Sequence, residues 1–278
     1  MINRLYKVFN VLFSFFDQQR FLIYEKIYLR IVRFKFLSEK KNFEDHTIDI
    51  ILPTYNRSKL LYERSIPSVL GQTYKNFRLL IIGDCCTDDT EKIVNSFNDD
   101  RILFLKIHNR KKRYPPTPEN HWFAGPVVAI NYGLNFIKSD WIARIDDDDI
   151  WTSDHLEKLL LHVLKKNSEF VSSSYTVIKN DEEIIKNFEN KKPAIGGVQT
   201  WLYRSYLKFF KANINCWRKS WNKVNDLDLQ NRFYLAGVKM NYLNLSTCII
   251  KPRPGDNEIG LKAYKSNPLD YIKKYEFK

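Results

Sequence analysis

Cysteine, paired histidine and acidic charge are all in short supply in this sequence, and each shortage closes off a class of protein. Four cysteines in 278 residues, with Cys85 and Cys86 adjacent and Cys216 and Cys248 standing apart, supply neither a disulfide framework nor thiolate spacing for a metal. That pattern fits a reducing, cytoplasmic location. The five histidines (His46, His108, His121, His155 and His162) make no HxxxH or HExxH pair, which removes the usual zinc hydrolases. Near the N-terminus Lys7, Asp17, Arg20, Glu25 and Lys26 interrupt every apolar run before it reaches the ~20 residues that a bilayer span needs. No small-residue cleavage site follows VFNVLFSFF, which argues against a secretory signal. Acidic residues number 32 against 45 Lys and Arg, and the resulting +13 favours anionic partners. Nucleic acid is set aside among these, since neither zinc-finger spacing nor an aromatic RNA-binding signature is present.

What the chain does have is apolar and aromatic mass, 44% and 15% of residues, enough to bury a substantial core. Residues 1–45 lack Gly and Pro, and the spacing of Ile2, Leu5, Tyr6, Phe9, Leu12, Phe13 and Phe16, then of Tyr24, Ile27, Tyr28 and Ile31, predicts two amphipathic helices. Two readings are open for them. They either anchor residues 1–37 on an anionic membrane surface or pack on the following domain or on a second copy.

From residue 47 short apolar runs alternate with helical segments. IDIILP (48–53), FRLLIIGD (77–84), RILFLKI (101–107) and WIARID (141–146) predict strands. KLLYERSIPSVLGQ, DDTEKIVNSF and GPVVAINYGLNFI predict the helices between them. This alternation predicts an α/β fold with a mainly parallel sheet and helices on both faces. Ligands of such sheets gather at the carboxyl ends of the strands, where PTYNR, GDCCTDD and the run DDDD all fall.

Four adjacent carboxylates repel one another and need a compensating cation. A hard divalent ion with oxygen ligands supplies one, typically through one or two protein carboxylates plus substrate phosphates. Strand alternation predicts that Asp146 and Asp148 face one site while Asp147 turns aside.

The stretch DIILPTYNRSKLLYERSIPSVLGQTYKNFRLLIIGDCCTDDTEKIV, followed by GPVVAINYGL and WIARIDDDDIWTSDHLEKL, resembles the nucleotide-binding half of family 2 glycosyltransferases of the GT-A fold. The resemblance covers roughly residues 47–165 in the expected order, and is weaker beyond. It implies a GT-A domain over 46–278, with a nucleotide-sugar-binding half at 46–165 and an acceptor-binding half at 166–278. It also implies inverting transfer of a sugar from a nucleoside-diphosphate donor, UDP-sugar favoured, to a glycan or lipid-linked acceptor. The setting would be bacterial surface polysaccharide or lipopolysaccharide synthesis, in the cytoplasm or peripherally at the inner face of the plasma membrane.

Carried over residue by residue, the resemblance places Pro53, Thr54 and Tyr55 at the base, with Asn56 and Arg57 supporting their loop. Asp84 would contact the base or ribose, Asp146 the ribose, and Asp148 the Mn²⁺ or Mg²⁺ on the diphosphate. Asp147 and Asn131 join the donor-binding set. Cys85 and Cys86 depart from the family pattern after Asp84, and Ile130 stands where an Arg is usual. The general base is expected in VNDLDLQNRFYLAG, at Asp226 first and Asp228 second, although capping of the following helix is an alternative for Asp226. Trp201, Trp217 and Trp221 are candidate sugar-stacking residues or core. The segment 249–268, with Arg253, Gly255 and Gly260, reads as a loop over the donor or as a tail. A nucleotidyltransferase would need a Gly-rich phosphate loop after the first strand, and PTYNRSKL has none. A non-catalytic nucleotide-sugar-binding or membrane-peripheral protein with the same domain is the alternative function.

Overall fold

The structure, a computed structural model, describes residues 2–35, 41–109, 113–180 and 182–266. The end of the acceptor half, 267–278, and residues 1, 36 and 37 of the expected membrane-facing segment lie outside the described residues.

A helix, α1 (Ile2–Lys35), precedes β1 (Ile48–Thr54). A broken helix follows, made of α2 (Ser58–Leu60), a π-helical turn (Leu61–Ser65) and α3 (Ile66–Leu70), and leads to β2 (Phe77–Asp84). Next come α4 (Thr90–Ser96), β3 (Ile102–Ile107), α5 (Pro118–Ala124), α6 (Val127–Gly133) and β4 (Trp141–Arg144). The chain continues through β5 (Asp149–Trp151), α7 (His155–Lys165), β6 (Phe170–Lys179), β7 (Glu182–Lys186) and β8 (Leu202–Arg204). It ends in α8 (Asn225–Ala236), β9 (Met240–Ile250) and α9 (Leu261–Ser266).

The strands form one sheet in the order β3-β2-β1-β4-β8-β6-β9-β5, with β7 beside β6. β3, β2, β1 and β4 are mutually parallel, as the alternation of the sequence predicts. Beyond β4 the sheet becomes mixed. β8 is antiparallel to both β4 and β6, while β6 and β9 run parallel. The sheet thus continues past residue 165, where the two halves were expected to meet. All seven residues of β1 are buried, which is why it reads as a mainly apolar run rather than an alternating one, with the buried Asp49 paired to Arg78. One apolar layer includes Ile50, Leu52, Val69 and Leu159, and another on the opposite side includes Ile51, Ile82, Ile130 and Phe233. At Gly133 an added Cβ would lie 2.9 Å from the Ile82 side chain, so α6 sits against the sheet closer than any larger residue permits.

The two expected N-terminal helices are one 34-residue helix. Phe16 and Ile27 are eleven residues apart, close to three whole turns, so the two apolar patterns run in phase with no breaker between them. Its orientation is the reverse of an ordinary amphipathic helix. Asp17 and Glu25 point inward, with Asp17 8% and Glu25 0% exposed, whereas Phe9, Leu12, Phe16, Ile23, Ile27 and Ile31 are exposed. Asn213 donates to Asp17 at 2.8 Å, and the buried Arg232 guanidinium binds Glu25 directly. Arg33 donates to Glu169 at 2.6 Å and to the Gly237 carbonyl at 2.7 Å. Gly237 ends α8 at φ 87°, a left-handed conformation that glycine adopts without a Cβ penalty.

Arg232 also binds Asp228 at 3.1 Å, and Lys219 donates to the other oxygen of that carboxylate. Truncating one member of a buried charge network leaves the others uncompensated. Arg232→Met should therefore cost about 3–5 kcal/mol in urea denaturation. Glu25 behaves differently, because burial pushes its carboxyl up to about 8 against the pull of Arg232. A carboxyl raised in this way keeps its proton in the folded chain after the unfolded chain has lost it. Its contribution to stability consequently falls as pH rises from the ordinary 4.5 towards 8. Glu25→Gln should flatten that part of the stability profile, measured as melting temperature against pH for both proteins.

Candidate active site

Three strand ends, the first turn of α8 and the C-terminal segment converge on one cavity. Pro53 and Thr54 end β1, with Tyr55 and Arg57 in the loop beyond, and Asp84 ends β2. Arg144 closes β4, and Asp146, Asp147 and Asp148 follow it. His121 and Trp122 enter from α5, Asn225 and Asp226 from α8, and Arg253 and Tyr264 from the chain after β9. The carboxyl ends of parallel strands are where open α/β sheets bind ligands.

The acidic run is held by arginines from distant parts of the sequence. Arg57 donates to Asp147 at 2.6 Å, and Thr54 donates to the same carboxylate at 2.9 Å. Arg253 donates to Asp148 at 2.6 Å. Arg64 donates to the Asp148 carbonyl at 3.1 Å and the Pro252 carbonyl at 2.8 Å, tying the acidic turn to the C-terminal segment. Asp84 is paired with Arg113 through two bonds of 2.6 and 2.8 Å.

These surroundings separate the four carboxyls. Burial, with the neighbouring Asp148 and Asp147 charges, lifts Asp146 to about 7 against the pull of Arg144. Burial likewise raises Asp147 despite Arg57, and lifts Asp149 well above the carboxylate range. Burial pushes Asp148 up too, but Arg253 and Arg57 overcome it and bring that carboxyl down to about 2. Asp148 is thus the member of the run held most firmly as an anion. Asp226, half-buried at the start of α8, is raised by burial against the pull of Arg144.

Asp147 corrects the alternation expected of the run. β4 ends at Arg144 and residues 147 and 148 form a turn, so the two-residue period no longer applies and Asp147 faces the cavity. Two expected donor-side residues do not line the cavity. Asn56 adopts φ 51° and accepts from the Thr87 N–H at 2.7 Å, joining the loops after β1 and β2. Asn131 exchanges two 2.9 Å bonds with the Ala212 backbone. Asp228 lies in the buried network with Lys219 and Arg232 and is likewise not a lining residue.

None of the three tryptophans proposed for sugar stacking reaches the cavity. Trp201 is wholly buried core, Trp217 lies beneath the Arg218 guanidinium, and Trp221 is exposed. Trp122 lines the cavity instead and packs with Tyr55 against Tyr264. The segment after β9 folds across this opening, with Arg253 on Asp148 and the Tyr264 hydroxyl 3.4 Å from Arg57. Arg144 and Arg113 were missed at the sequence level. A lone cation inside the apolar segment WIAR signalled the first, whereas Arg113 sits in a long polar stretch without pattern.

With this geometry in view, the chain was compared with known proteins. A 143-residue stretch, 51% of this chain, is 34% identical to an Escherichia coli UDP-Glc:alpha-D-GlcNAc-diphosphoundecaprenol beta-1,3-glucosyltransferase, WfgD, and covers 51% of that protein. A putative teichuronic acid biosynthesis glycosyltransferase of Bacillus subtilis, TuaG, is 28% identical over a stretch of the same extent. The chain spans about half the length of these relatives. Among solved structures, Staphylococcus aureus TarS (residues 1–349) in complex with UDP-GlcNAc superposes with a TM-score of 0.61 at 15% identity, covering 78% of this chain and 60% of that one. The Pyrobaculum calidifontis mannosyltransferase PcManGT, in complex with GDP-Man and Mn²⁺, gives 0.55 at 12% identity, covering 84% and 66%. These likenesses establish the fold, the GT-A type expected from the sequence. The family model described as Glycosyl transferase family 2 matches residues 49–233, well over half of the chain, and the chain belongs to that family.

Proposed function

We propose that this protein is an inverting glycosyltransferase that moves a sugar from a nucleoside-diphosphate donor, a UDP-sugar, to a glycan or lipid-linked acceptor. We place it in bacterial surface polysaccharide or lipopolysaccharide synthesis at the inner face of the plasma membrane. One observation carries the reading: a single cavity gathers the ends of β1, β2 and β4 with a carboxyl at the start of α8. Relatives named for transfer to a diphosphoundecaprenol-linked sugar support a lipid-linked acceptor.

Pro53, Thr54, Tyr55 and Asp84 are assigned to the nucleoside and Asp146 to the ribose. Asp147 orients Arg57 and Thr54 through its hydrogen bonds. The acidic run is an all-oxygen donor set whose member Asp146 is raised by burial and by the Asp148 and Asp147 charges against the pull of Arg144, which suits a hard divalent ion. Among the described residues no group of three His, Cys, Asp or Glu side chains gathers round one point. That suits an ion taking one protein carboxylate, Asp148, with its other ligands from phosphate and water. When bound, Mn²⁺ or Mg²⁺ stabilises negative charge on the departing diphosphate. Asp226 is assigned as general base, receiving the proton of the acceptor hydroxyl. Its raised pKa brings it nearer to working pH than an ordinary Asp.

The outward face of α1 is assigned to an anionic lipid surface. The acids Asp17 and Glu25 turn inward, leaving Lys26 and Arg30 among the exposed apolar residues, while Arg20 is paired with Asp17 at 2.9 Å. Apolar area together with cations is the combination that binds anionic headgroups. No described helix is long and apolar enough to cross a membrane.

Thermal-shift measurements with UDP, GDP, CDP and their sugar conjugates, each with and without Mn²⁺, test the donor site. Metal-dependent stabilisation by a uridine nucleotide is expected, and Asp148→Asn should abolish it. Stabilisation by none of them would remove the donor-site reading. Asp226→Asn should lower turnover by roughly 10²–10⁴-fold while nucleotide binding persists, so near-normal turnover would exclude Asp226 as the base. Flotation with vesicles containing phosphatidylglycerol should carry the protein upward, and salt or Phe16→Glu should weaken this. Failure to float, with a dimer in sedimentation, would assign the face to a second copy.

A further inference from the structure

The arginines around the cavity are not equivalent. Arg57 and Arg253 each hold a carboxylate of the acidic run, and Arg113 holds Asp84. Arg144 is 2% exposed, yet its Nε and Nη1 make no hydrogen bond with any described residue. The Trp201 ring, 6.0 Å from the guanidinium carbon, backs it. A second unsatisfied group lines the same cavity. Asn225 is 4% exposed, and its Nδ2 donates to the Phe123 carbonyl at 3.1 Å, which leaves Oδ1 buried with no partner among the described residues. Leaving such a group buried and unpaired is unfavourable, and a charged one more so. Two of them from separate elements, β4 and α8, in one cavity are the complement of a ligand's polar groups.

The donor and acceptor chemistry defines that ligand. Arg only donates, and Asn Oδ1 only accepts. A hydroxyl can accept from the first, and another can donate to the second, as neighbouring hydroxyls of a pyranose do. The charge of Arg144 already acts on Asp146 and Asp226 without a hydrogen bond to either.

We propose that Arg144 and Asn225 form the sugar-recognition corner of the cavity, where one hydroxyl of the donor sugar accepts from the Arg144 guanidinium and another donates to Asn225 Oδ1. The assignment rests on the nucleotide-sugar reading above. It makes both residues determinants of donor-sugar affinity that a nucleoside diphosphate alone does not engage.

The test is a ratio of affinities, measured calorimetrically with Mn²⁺ for UDP against UDP-glucose and UDP-glucuronate, and for GDP against GDP-mannose. Relative to the bare diphosphate, Arg144→Met and Asn225→Leu should each weaken binding of the neutral nucleotide sugar by about tenfold or more. Using the ratio cancels any general loss of nucleotide affinity. An unchanged ratio in both variants overturns the proposal. Tighter binding of UDP-glucuronate than UDP-glucose by the wild type would place a carboxylate rather than a hydroxyl on Arg144 and overturn its part of the assignment. If Arg144→Met does not fold by thermal melting, Asn225→Leu decides alone. A wild type that binds no nucleotide would be a different failure, that of the donor-site reading, and this assignment would fall with it.

Discussion

Everything around the cavity depends on one electrostatic constraint, the cost of holding the acidic run of residues 146–149 out of bulk water. The repulsion is met by bringing cations from far along the chain, Arg57 after β1 and Arg253 after β9. Those contacts do more than neutralise charge. They bind the first and last thirds of the sequence to the same turn, and Arg64 reinforces the link through the backbone carbonyls of Asp148 and Pro252. Because the compensation is uneven, four chemically identical side chains acquire different acidities.

The same principle explains the inverted N-terminal helix. An amphipathic helix ordinarily docks by its apolar stripe. Here α1 docks through Asp17, Glu25 and Arg33, each with a partner on the main domain. The polar contacts are joined by aromatic ones: Phe13 and Phe21 lie under the Arg218 and Arg232 guanidiniums, and Tyr24 and Tyr28 pack on Phe209. Towards its end Leu29 and Val32 join the apolar core.

The parallel half of the sheet was legible because its strands are buried on both faces and separated by helices with clear starts, so apolar runs and turn residues alternate in plain view. β2 was read to the residue, Phe77–Asp84. The mixed half was not legible. β8 has three residues, and β6 carries Ser172, Ser173 and Ser174 buried at its centre, so neither shows a usable apolar period. The locations of Pro53, Thr54, Tyr55, Asp84 and the acidic run followed from strand ends. Asp147 did not, because the two-residue period ends with the strand. The partners of the acids were out of reach, since no local pattern reveals that Arg253 meets Asp148 across 105 positions. Glu25 and Arg232, 207 positions apart, posed the same difficulty.

The ion-paired seat of α1 also has a geometric consequence. Arg232, which holds Glu25, belongs to the helix whose first turn carries Asn225 and Asp226, so α1 and the cavity share a frame fixed by buried charges. A helix of about 50 Å lying flat on a surface by one fixed face removes two of the three rotations of the body attached to it, its tilt and its roll. The cavity mouth would then keep a constant tilt and height above that surface, and swivelling about the surface normal would be the remaining freedom. A substrate confined to the same plane would meet the opening from one elevation only, whatever direction it came from.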